Sequence, residues 1–156
     1  MAAPRFLADE MVGRLARYLR MMGADTTYAR GRTDEEIARE ARQEARVVVT
    51  RDRALAGRAD RSILLESPRI DEQVRAVWAA VPELPHELRF DRCTLCNAAL
   101  VPGPGPATDQ VGVPWDRIRD GLPVYRCVGC HQLFWDGSHV SAVRRRLRDW
   151  SEASRR

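Results

Sequence analysis

Short apolar runs alternate with amphipathic segments along the first half of the chain. An apolar stripe at helical spacing follows Asp9 and predicts a helix that Gly23 ends in the C-cap position. The run Val47 to Thr50 is β-branched throughout and apolar on both faces, as in a central parallel strand. The pattern predicts further strands at 5–8, 26–29 and 62–65, and further helices at 33–45, 52–58 and 70–80.

This alternation of strands and helices predicts an α/β domain with three layers and a parallel sheet over residues 1–82. Pro82 and Pro85 interrupt the pattern, so we expect a linker at 83–88. Residues 89–139 show hairpin-like and irregular signals, and residues 140–156 predict a basic amphipathic helix.

Two cysteine pairs, Cys93-x-x-Cys96 and Cys127-x-x-Cys130, use all four cysteines of the chain. Two such turns complete a tetrahedral site, and four thiolates suit a structural zinc ion. Two disulfides would need an oxidising compartment, and the N-terminus shows no export signal. The second pair also matches the C-x-x-C-H haem attachment pattern, which leaves the first pair unexplained. We expect a zinc ribbon. The remaining alternatives are another metal, or His131 or His139 replacing a cysteine as ligand.

The basic residues of the chain are all arginine, 26 in number, and the net charge is +4. The absence of lysine excludes a Walker-A site and a Schiff-base enzyme. The apolar runs are too short to span a membrane, and we expect a cytoplasmic protein.

Acidic residues follow three of the predicted strands. Asp9 follows the first strand, Asp34 opens the helix after the second strand together with Glu35 and Glu36, and Asp52 follows the third. Because the carboxyl ends of parallel strands meet at one edge, these acids should converge there. Acids in such proximity need a cation, and oxygen ligands suit Mg²⁺ or Mn²⁺.

Each acid also has a structural interpretation. Asp9 and Asp52 could be helix N-caps, and Glu36 is the natural back-bonding member of a capping box. Glu66 or Asp71, after the fourth strand, could supply a further cation ligand.

Several arginines could contact nucleic-acid phosphates, although each could equally lie on a solvated helix face. These arginines are Arg14, Arg17, Arg51, Arg53, Arg144, Arg145 and Arg148.

The ordered motifs resemble the Mut-seven C-terminal RNase family. They are FLADEM at 6–11, GRLARYLRMMG at 13–23, DEE at 34–36, TRDR at 50–53 and the two cysteine pairs. The resemblance implies a PIN-like nuclease domain fused to a zinc ribbon. It matches Asp9, Asp34 and Asp52 to the family's acidic positions, and the four cysteines to its zinc ligands.

Together these patterns predict an Mg²⁺- or Mn²⁺-dependent endoribonuclease with Asp9, Asp34 and Asp52 as cation ligands and Glu36 assisting. Water activated by the cation would attack a phosphodiester in line and leave a 5′ phosphate. The ribbon and basic tail would position RNA through phosphate contacts. The alternatives are a non-catalytic nucleic-acid-binding adaptor and a protein-partner module, such as an antitoxin-bound toxin or a subunit of an RNA-processing complex.

Overall fold

The structure, a computed structural model, describes residues 3–106 and 110–156. The first half alternates strands and helices: β1 Phe6–Asp9, a 3₁₀ turn Glu10–Val12, α1 Gly13–Met21, β2 Thr26–Ala29, α2 Asp34–Gln43, β3 Val47–Thr50, α3 Arg53–Arg58, β4 Ser62–Leu64 and α4 Ile70–Ala80. The second half contains β5 Leu100–Pro102, α5 Trp115–Arg119, β6 Val124–Cys127, β7 Leu133–Trp135 and α6 Ser138–Ser154.

The first four strands form one parallel sheet in the order β2-β1-β3-β4. Phe6 of β1 pairs with Thr26 on one side and with Val47 on the other. Every residue of β1 and β3 is buried, so these two strands form the centre of the sheet. The prediction of a parallel α/β sheet is confirmed.

Helices cover both faces of the sheet and give the three predicted layers. Phe6 and Val49 pack with α1 and α4 on one face, whereas Leu7 and Val48 pack with α2 and α3 on the other. The predicted apolar stripe of α1 is buried along its whole length, from Val12 through Leu15, Ala16 and Leu19 to Met22.

Residues 89–139, which we refer to as the ribbon, contain an antiparallel sheet in the order β5-β6-β7. Its attachment to the parallel sheet depends on Asn97, which adopts a left-handed backbone conformation with φ of 71°. The Asn97 Oδ1 atom accepts a hydrogen bond from the Thr26 backbone N–H at 2.9 Å, and Nδ2 donates to Asp25 Oδ1 at 2.8 Å. The buried Arg20 donates to the backbone oxygens of Thr26 and Thr94, at 2.9 and 3.0 Å. These contacts bind the first cysteine turn to the start of β2.

Asp25 belongs to a second set of contacts at the amino end of the sheet. Arg46 is buried and donates to Asp25 Oδ1 at 2.8 Å, and Arg5 donates to Asp25 Oδ2 at 3.1 Å. Burial acts against ionisation of Asp25, but the hydrogen bonds from Arg46, Asn97 and Arg5 outweigh it. They hold the pKa of this carboxyl well below its ordinary value.

The C-terminal helix α6 packs on the parallel-sheet domain rather than on the ribbon alone. Val143 and Leu147 belong to the same buried cluster as α1 and α4. The rings of Tyr18 and Trp150 are 5.2 Å apart between centroids. In the sequence, the ribbon therefore lies between two segments that contribute to the same hydrophobic core.

The segment 83–88 is packed against the domain. Leu84 is buried, and His86 stacks on Trp78 with ring centroids 4.1 Å apart. Among the residues that the structure describes, no helix is long and apolar enough to cross a membrane.

Candidate functional site

The direction of chain winding reverses between β1 and β3, and we refer to the region outside the carboxyl ends of these two strands as the crevice. From β1 the chain passes to β2 on one side of the sheet and then returns to β3 on the other. In open parallel sheets, ligands bind outside the carboxyl ends of the strands at such a point. Asp9 is the last residue of β1 and Thr50 is the last residue of β3, so both lie at this edge.

Asp9 is a buried carboxylate at the crevice, with only 5% of its surface exposed. The Thr50 hydroxyl donates a hydrogen bond to its Oδ2 atom at 2.6 Å, and the Met11 backbone N–H donates to Oδ1 at 3.2 Å. Burial raises the pKa of Asp9 more than these two hydrogen bonds lower it, and the negative charges of Asp52 and Glu10 raise it further. An ionised Asp9 would therefore gain from a nearby cation.

Asp52 is the N-cap of α3, as the sequence predicts. Its Oδ1 atom accepts from the backbone N–H groups of Ala54 and Leu55, at 2.8 and 3.3 Å. Its own backbone N–H donates to the Thr50 hydroxyl at 2.9 Å. Thr50 thus bridges Asp9 and the Asp52 backbone, and both capping bonds use the same carboxylate oxygen.

The acids that follow β2 have mainly structural contacts. Glu36 Oε2 accepts from the Thr33 backbone N–H at 2.8 Å, and the Thr33 hydroxyl accepts from the Glu36 N–H at 3.2 Å. This is the capping box predicted from the sequence. The half-buried Asp34 is the first residue of α2, and Glu35 lies 3.5 Å from Arg58.

Asp9, Asp34 and Asp52 do not lie as close together as the ligands of a preformed metal site. Within residues 3–106 and 110–156, the cysteines are the only group of three or more metal-ligating side chains whose ligand atoms all lie within 4.8 Å of one another. Asp9 and Asp52 are close enough to interact electrostatically. Asp34 follows β2, which flanks β1 on the side opposite β3. The role of these acids as cation ligands stays a prediction.

Two residues at this edge were missed by the sequence analysis. Thr50 holds the Asp9 carboxylate, and Glu10 adds negative charge beside it while its Oε2 atom accepts from the Gly31 N–H at 3.2 Å. The signal for Glu10 was its position directly after Asp9. The signal for Thr50 was a polar residue that ends an otherwise apolar, fully buried strand.

The arginines predicted to bind phosphates lie in different parts of the structure. Arg14 and Arg17 are exposed on α1, and neither forms an ion pair in the part of the chain that the structure describes. Arg51 and Arg53 line a cavity of about 310 Å³ beyond β3 and β4. The Nε atom of Arg51 is buried there without a hydrogen-bond partner among the described residues.

The other acids and arginines singled out in the sequence have local partners or lie on α6. Glu66 is 3.9 Å from Arg53, and Asp71 is 3.1 Å from Arg69. Arg144 makes two hydrogen bonds to Asp136, at 2.6 and 2.8 Å. Arg145 and Arg148 are exposed on α6. Arg144 and Arg148 line a cleft of about 830 Å³ between α6 and residues 83–89.

The four cysteines form a potential zinc site. Sγ atoms from different turns approach closely, at 3.7 Å for Cys93 and Cys130 and 3.4 Å for Cys96 and Cys127. A tetrahedron with Zn–S bonds of about 2.3 Å has edges of about 3.8 Å, close to these separations. None of the four forms a disulfide. The donor set is complete without a histidine, so the geometry fits a four-thiolate zinc site.

The protonation of these thiols depends on whether a cation is bound. Burial raises the pKa of Cys93 to about 12. Burial acts to raise the pKa of Cys127 as well, but the backbone N–H groups of Cys130 and Gly129 lower it to about 7. Without a metal, four thiolates would not coexist here at neutral pH, whereas a zinc ion would stabilise all four.

Comparison with known proteins agrees with the motifs. The family model described as the Mut7-C RNAse domain matches residues 4–147. A relative described as "Exonuclease mut-7 homolog", from Homo sapiens, is 26% identical over 96% of this chain. The chain spans 26% of that relative's length. No solved structure matches the chain significantly. Because the family model matches nearly the whole chain, the protein belongs to the Mut7-C RNase domain family, and this supports a nuclease-type function at the level of the family.

Proposed function

We propose that the protein is a ribonuclease that hydrolyses phosphodiester bonds at the crevice between β1 and β3, with Mg²⁺ or Mn²⁺ as cofactor. The observation that carries the proposal is the buried carboxylate of Asp9 at the switch point of the sheet, beside Asp52. A carboxylate in this setting is costly for folding and is typical of functional sites. Membership of the Mut7-C RNase family supports RNA as the substrate.

Asp9 and Asp52 are the proposed direct ligands of the cation, and Asp34 is the proposed outer ligand. The separation of Asp34 from the pair is compatible with this role, because Mg²⁺ usually keeps several waters and takes only one or two carboxylates directly. The cation would supply positive charge that stabilises the developing charge on the phosphodiester oxygens. Glu36, predicted to assist, has its carboxylate engaged in the capping box, and we assign it no part in this mechanism.

The residues of the chain would position this chemistry. The Thr50 hydroxyl orients the Asp9 carboxylate through Oδ2, and the α3 N-terminus holds Asp52 through Oδ1. Arg14, Arg17 and Arg51 would bind substrate phosphates near the crevice. The cysteine turns would hold a structural zinc ion, and the ribbon and α6 would extend the phosphate contacts. Four unpaired thiols support a reducing, cytoplasmic setting.

The mode of cleavage is proposed to be internal, in a domain of PIN-like architecture. The human relative is named an exonuclease. Product lengths from an end-labelled RNA distinguish the two modes, because internal cleavage gives fragments of intermediate length early in the reaction. A ladder that shortens one nucleotide at a time would contradict the endonuclease assignment.

The test is cleavage of labelled tRNA and single-stranded RNA with and without Mn²⁺. Asp9→Asn and Asp52→Asn should each lower the rate by at least about 100-fold, the usual minimum for removing a catalytic group. Asn caps helices as well as Asp does, so Asp52→Asn should keep its melting temperature within a few degrees. Glu36→Gln is the matched control, because Gln preserves a capping box and the rate should not change.

Cation binding gives a readout that does not depend on cleavage. With zinc bound and Mn²⁺ at about 100 times its Kd, the wild-type protein should gain about 2.7 kcal/mol of stability. Asp9→Asn should lose most of this gain in a thermal shift measurement. If Mn²⁺ stabilised the wild type and Asp9→Asn equally, and both cleaved RNA at the same rate, Asp9 would not be a ligand of the cation.

One observation favours a second candidate function, a nucleic-acid-binding adaptor that does not cleave. Asp52 and Glu36 both act as helix caps, and the three predicted cation ligands do not form a tight group among the described residues. An adaptor would bind RNA with unchanged affinity in Asp9→Asn and would show no Mn²⁺-dependent cleavage in the wild type.

A further inference from the structure

A cavity of about 340 Å³ lies between the start of α1, the end of β2 and the first cysteine turn. Its lining contains three arginines, one tyrosine and one exposed leucine, and no acidic side chain from the described part of the chain. These side chains are Arg14, Arg17, Arg20, Tyr28 and Leu95.

Tyr28 is held in place although it is exposed. It is the penultimate residue of β2 and pairs with Ala8, next to Asp9. Its hydroxyl donates to the Glu10 backbone oxygen at 3.1 Å, and its ring lies against Gly13 so closely that a Cβ there would be 3.0 Å from the Tyr28 oxygen. The residue is nevertheless 40% exposed. A fixed aromatic ring that remains open to solvent is suited to stacking against a planar ligand.

The charges around the cavity favour an anionic ligand. Arg20 is buried and committed to the backbone oxygens of Thr26 and Thr94. Arg14 and Arg17 are exposed on the same helix and make no ion pair within residues 3–106 and 110–156. Both guanidinium groups are therefore available to a phosphate.

The first cysteine turn also contributes to the wall of the cavity, through Thr94 and Leu95. Leu95 lies between Cys93 and Cys96 and is 53% exposed. The turn is fixed by the backbone N–H of Leu95, which donates to Cys93 Sγ at 3.4 Å. An apolar side chain on this turn thus lines the same cavity as the Tyr28 ring.

We infer that this cavity binds one unpaired nucleotide, with its base on Tyr28 and Leu95 and its phosphates on Arg14 and Arg17. The inference rests on the proposed function and extends it, because it makes unpaired nucleic acid the substrate class. A base within a duplex is already stacked and paired, so it is not available to Tyr28. The anchor of Tyr28 is the carbonyl of Glu10, directly after Asp9, so the nucleotide lies beside the crevice.

The test is equilibrium binding, measured by fluorescence anisotropy without added divalent cation and with zinc bound. The probes are a labelled oligoadenylate RNA of about eight nucleotides, within the range that a small single-strand site covers, and a G·C-rich RNA duplex of the same length, which stays paired under the conditions of the assay. Tyr28→Leu should weaken binding of the single strand at least about fivefold, the lower end of the cost of losing one base–aromatic stack. Binding of the duplex should not change.

Further variants test whether the loss of affinity comes from the aromatic ring rather than from a change in the fold, and whether a single arginine makes a specific phosphate contact. Tyr28→Phe keeps the ring and loses only the hydrogen bond to the Glu10 carbonyl, so it should bind the single strand more tightly than Tyr28→Leu does. Arg17→Gln should reduce the slope of log affinity against log salt by about 1, as expected for one lost phosphate contact. Arg39→Gln, another exposed helix arginine on the opposite layer, is the matched control and should leave the slope unchanged.

The outcomes distinguish this inference from the proposed function. Wild-type affinity of Tyr28→Leu for the single strand, or an equal loss on single strand and duplex, overturns the nucleotide site whatever the cleavage results. A Tyr28-dependent preference for the single strand in a protein that never cleaves RNA would support the site and overturn only the nuclease.

Discussion

Replacing Asn97 tests how the ribbon is attached to the parallel sheet. Asn97→Gly removes the acceptor of the fully buried Thr26 and the donor to Asp25. A buried donor left without its partner costs about 1–3 kcal/mol, and a hydrogen bond to a charged group contributes about 1.5–3 kcal/mol. We therefore expect the free energy of unfolding to fall by about 3 kcal/mol.

Asn97→Ala adds a backbone effect to the same loss. The residue has φ of 71°, which glycine adopts freely and alanine does not. The left-handed conformation costs a residue with a Cβ about 1–2 kcal/mol. Part of this difference is offset, because glycine loses more entropy on folding than alanine does. Asn97→Ala should therefore be less stable than Asn97→Gly by about 1 kcal/mol.

The assay is urea unfolding and calorimetry in the presence of excess zinc, so that metal loss does not enter the comparison. For a chain of this length a loss of 1 kcal/mol lowers the melting temperature by about 2–4 °C, so Asn97→Gly should melt about 6–12 °C below the wild type. Hydrogen exchange at the Thr26 amide should accelerate in both variants. A glycine variant within about 0.5 kcal/mol of the wild type would refute this account of the attachment, because distant surface substitutions have effects of that size.

Two further predictions concern acid stability and zinc. Asp25 has a folded pKa below its ordinary value of 3.8, so its ionised form stabilises the fold above that value, and the contribution is lost progressively as the pH falls from 3.8 to the folded pKa. Asp25→Asn should be less stable than the wild type at neutral pH, and urea unfolding should show the difference shrinking in acid; a difference independent of pH would contradict it. Cys93→Ser should lose zinc by elemental analysis and lose the ribbon's tertiary structure, whereas the neighbouring Thr94→Ser should keep both. Full zinc content in Cys93→Ser would contradict the four-thiolate site.

Local patterns were sufficient for most of the parallel domain. The bounds of β3 agree with the prediction because four consecutive β-branched residues have a strong strand preference. The α1 stripe is buried as predicted because its spacing matches the helical period. The cysteine site follows from spacing alone, since each C-x-x-C turn presents two thiols to one ion.

Contacts between distant residues could not be predicted in the same way. The hydrogen bond from Thr50 to Asp9 joins residues 41 positions apart, and the bond from Thr26 to Asn97 joins residues 71 positions apart. Strand order determines which residues at the sheet edge are neighbours, and it separates Asp34 from the side where Asp52 lies. The sequence indicates which strand each acid follows, but not how far apart the acids lie.

The docking of α6 on the parallel-sheet domain has a consequence for biosynthesis. Val143 and Leu147 cover the apolar surface of α1 and α4, yet they leave the ribosome after the whole ribbon. Nascent chains generally fold from the N-terminus during synthesis, so the zinc ligands emerge while this surface is still open. Zinc can therefore bind the nascent polypeptide before α6 covers the hydrophobic interior.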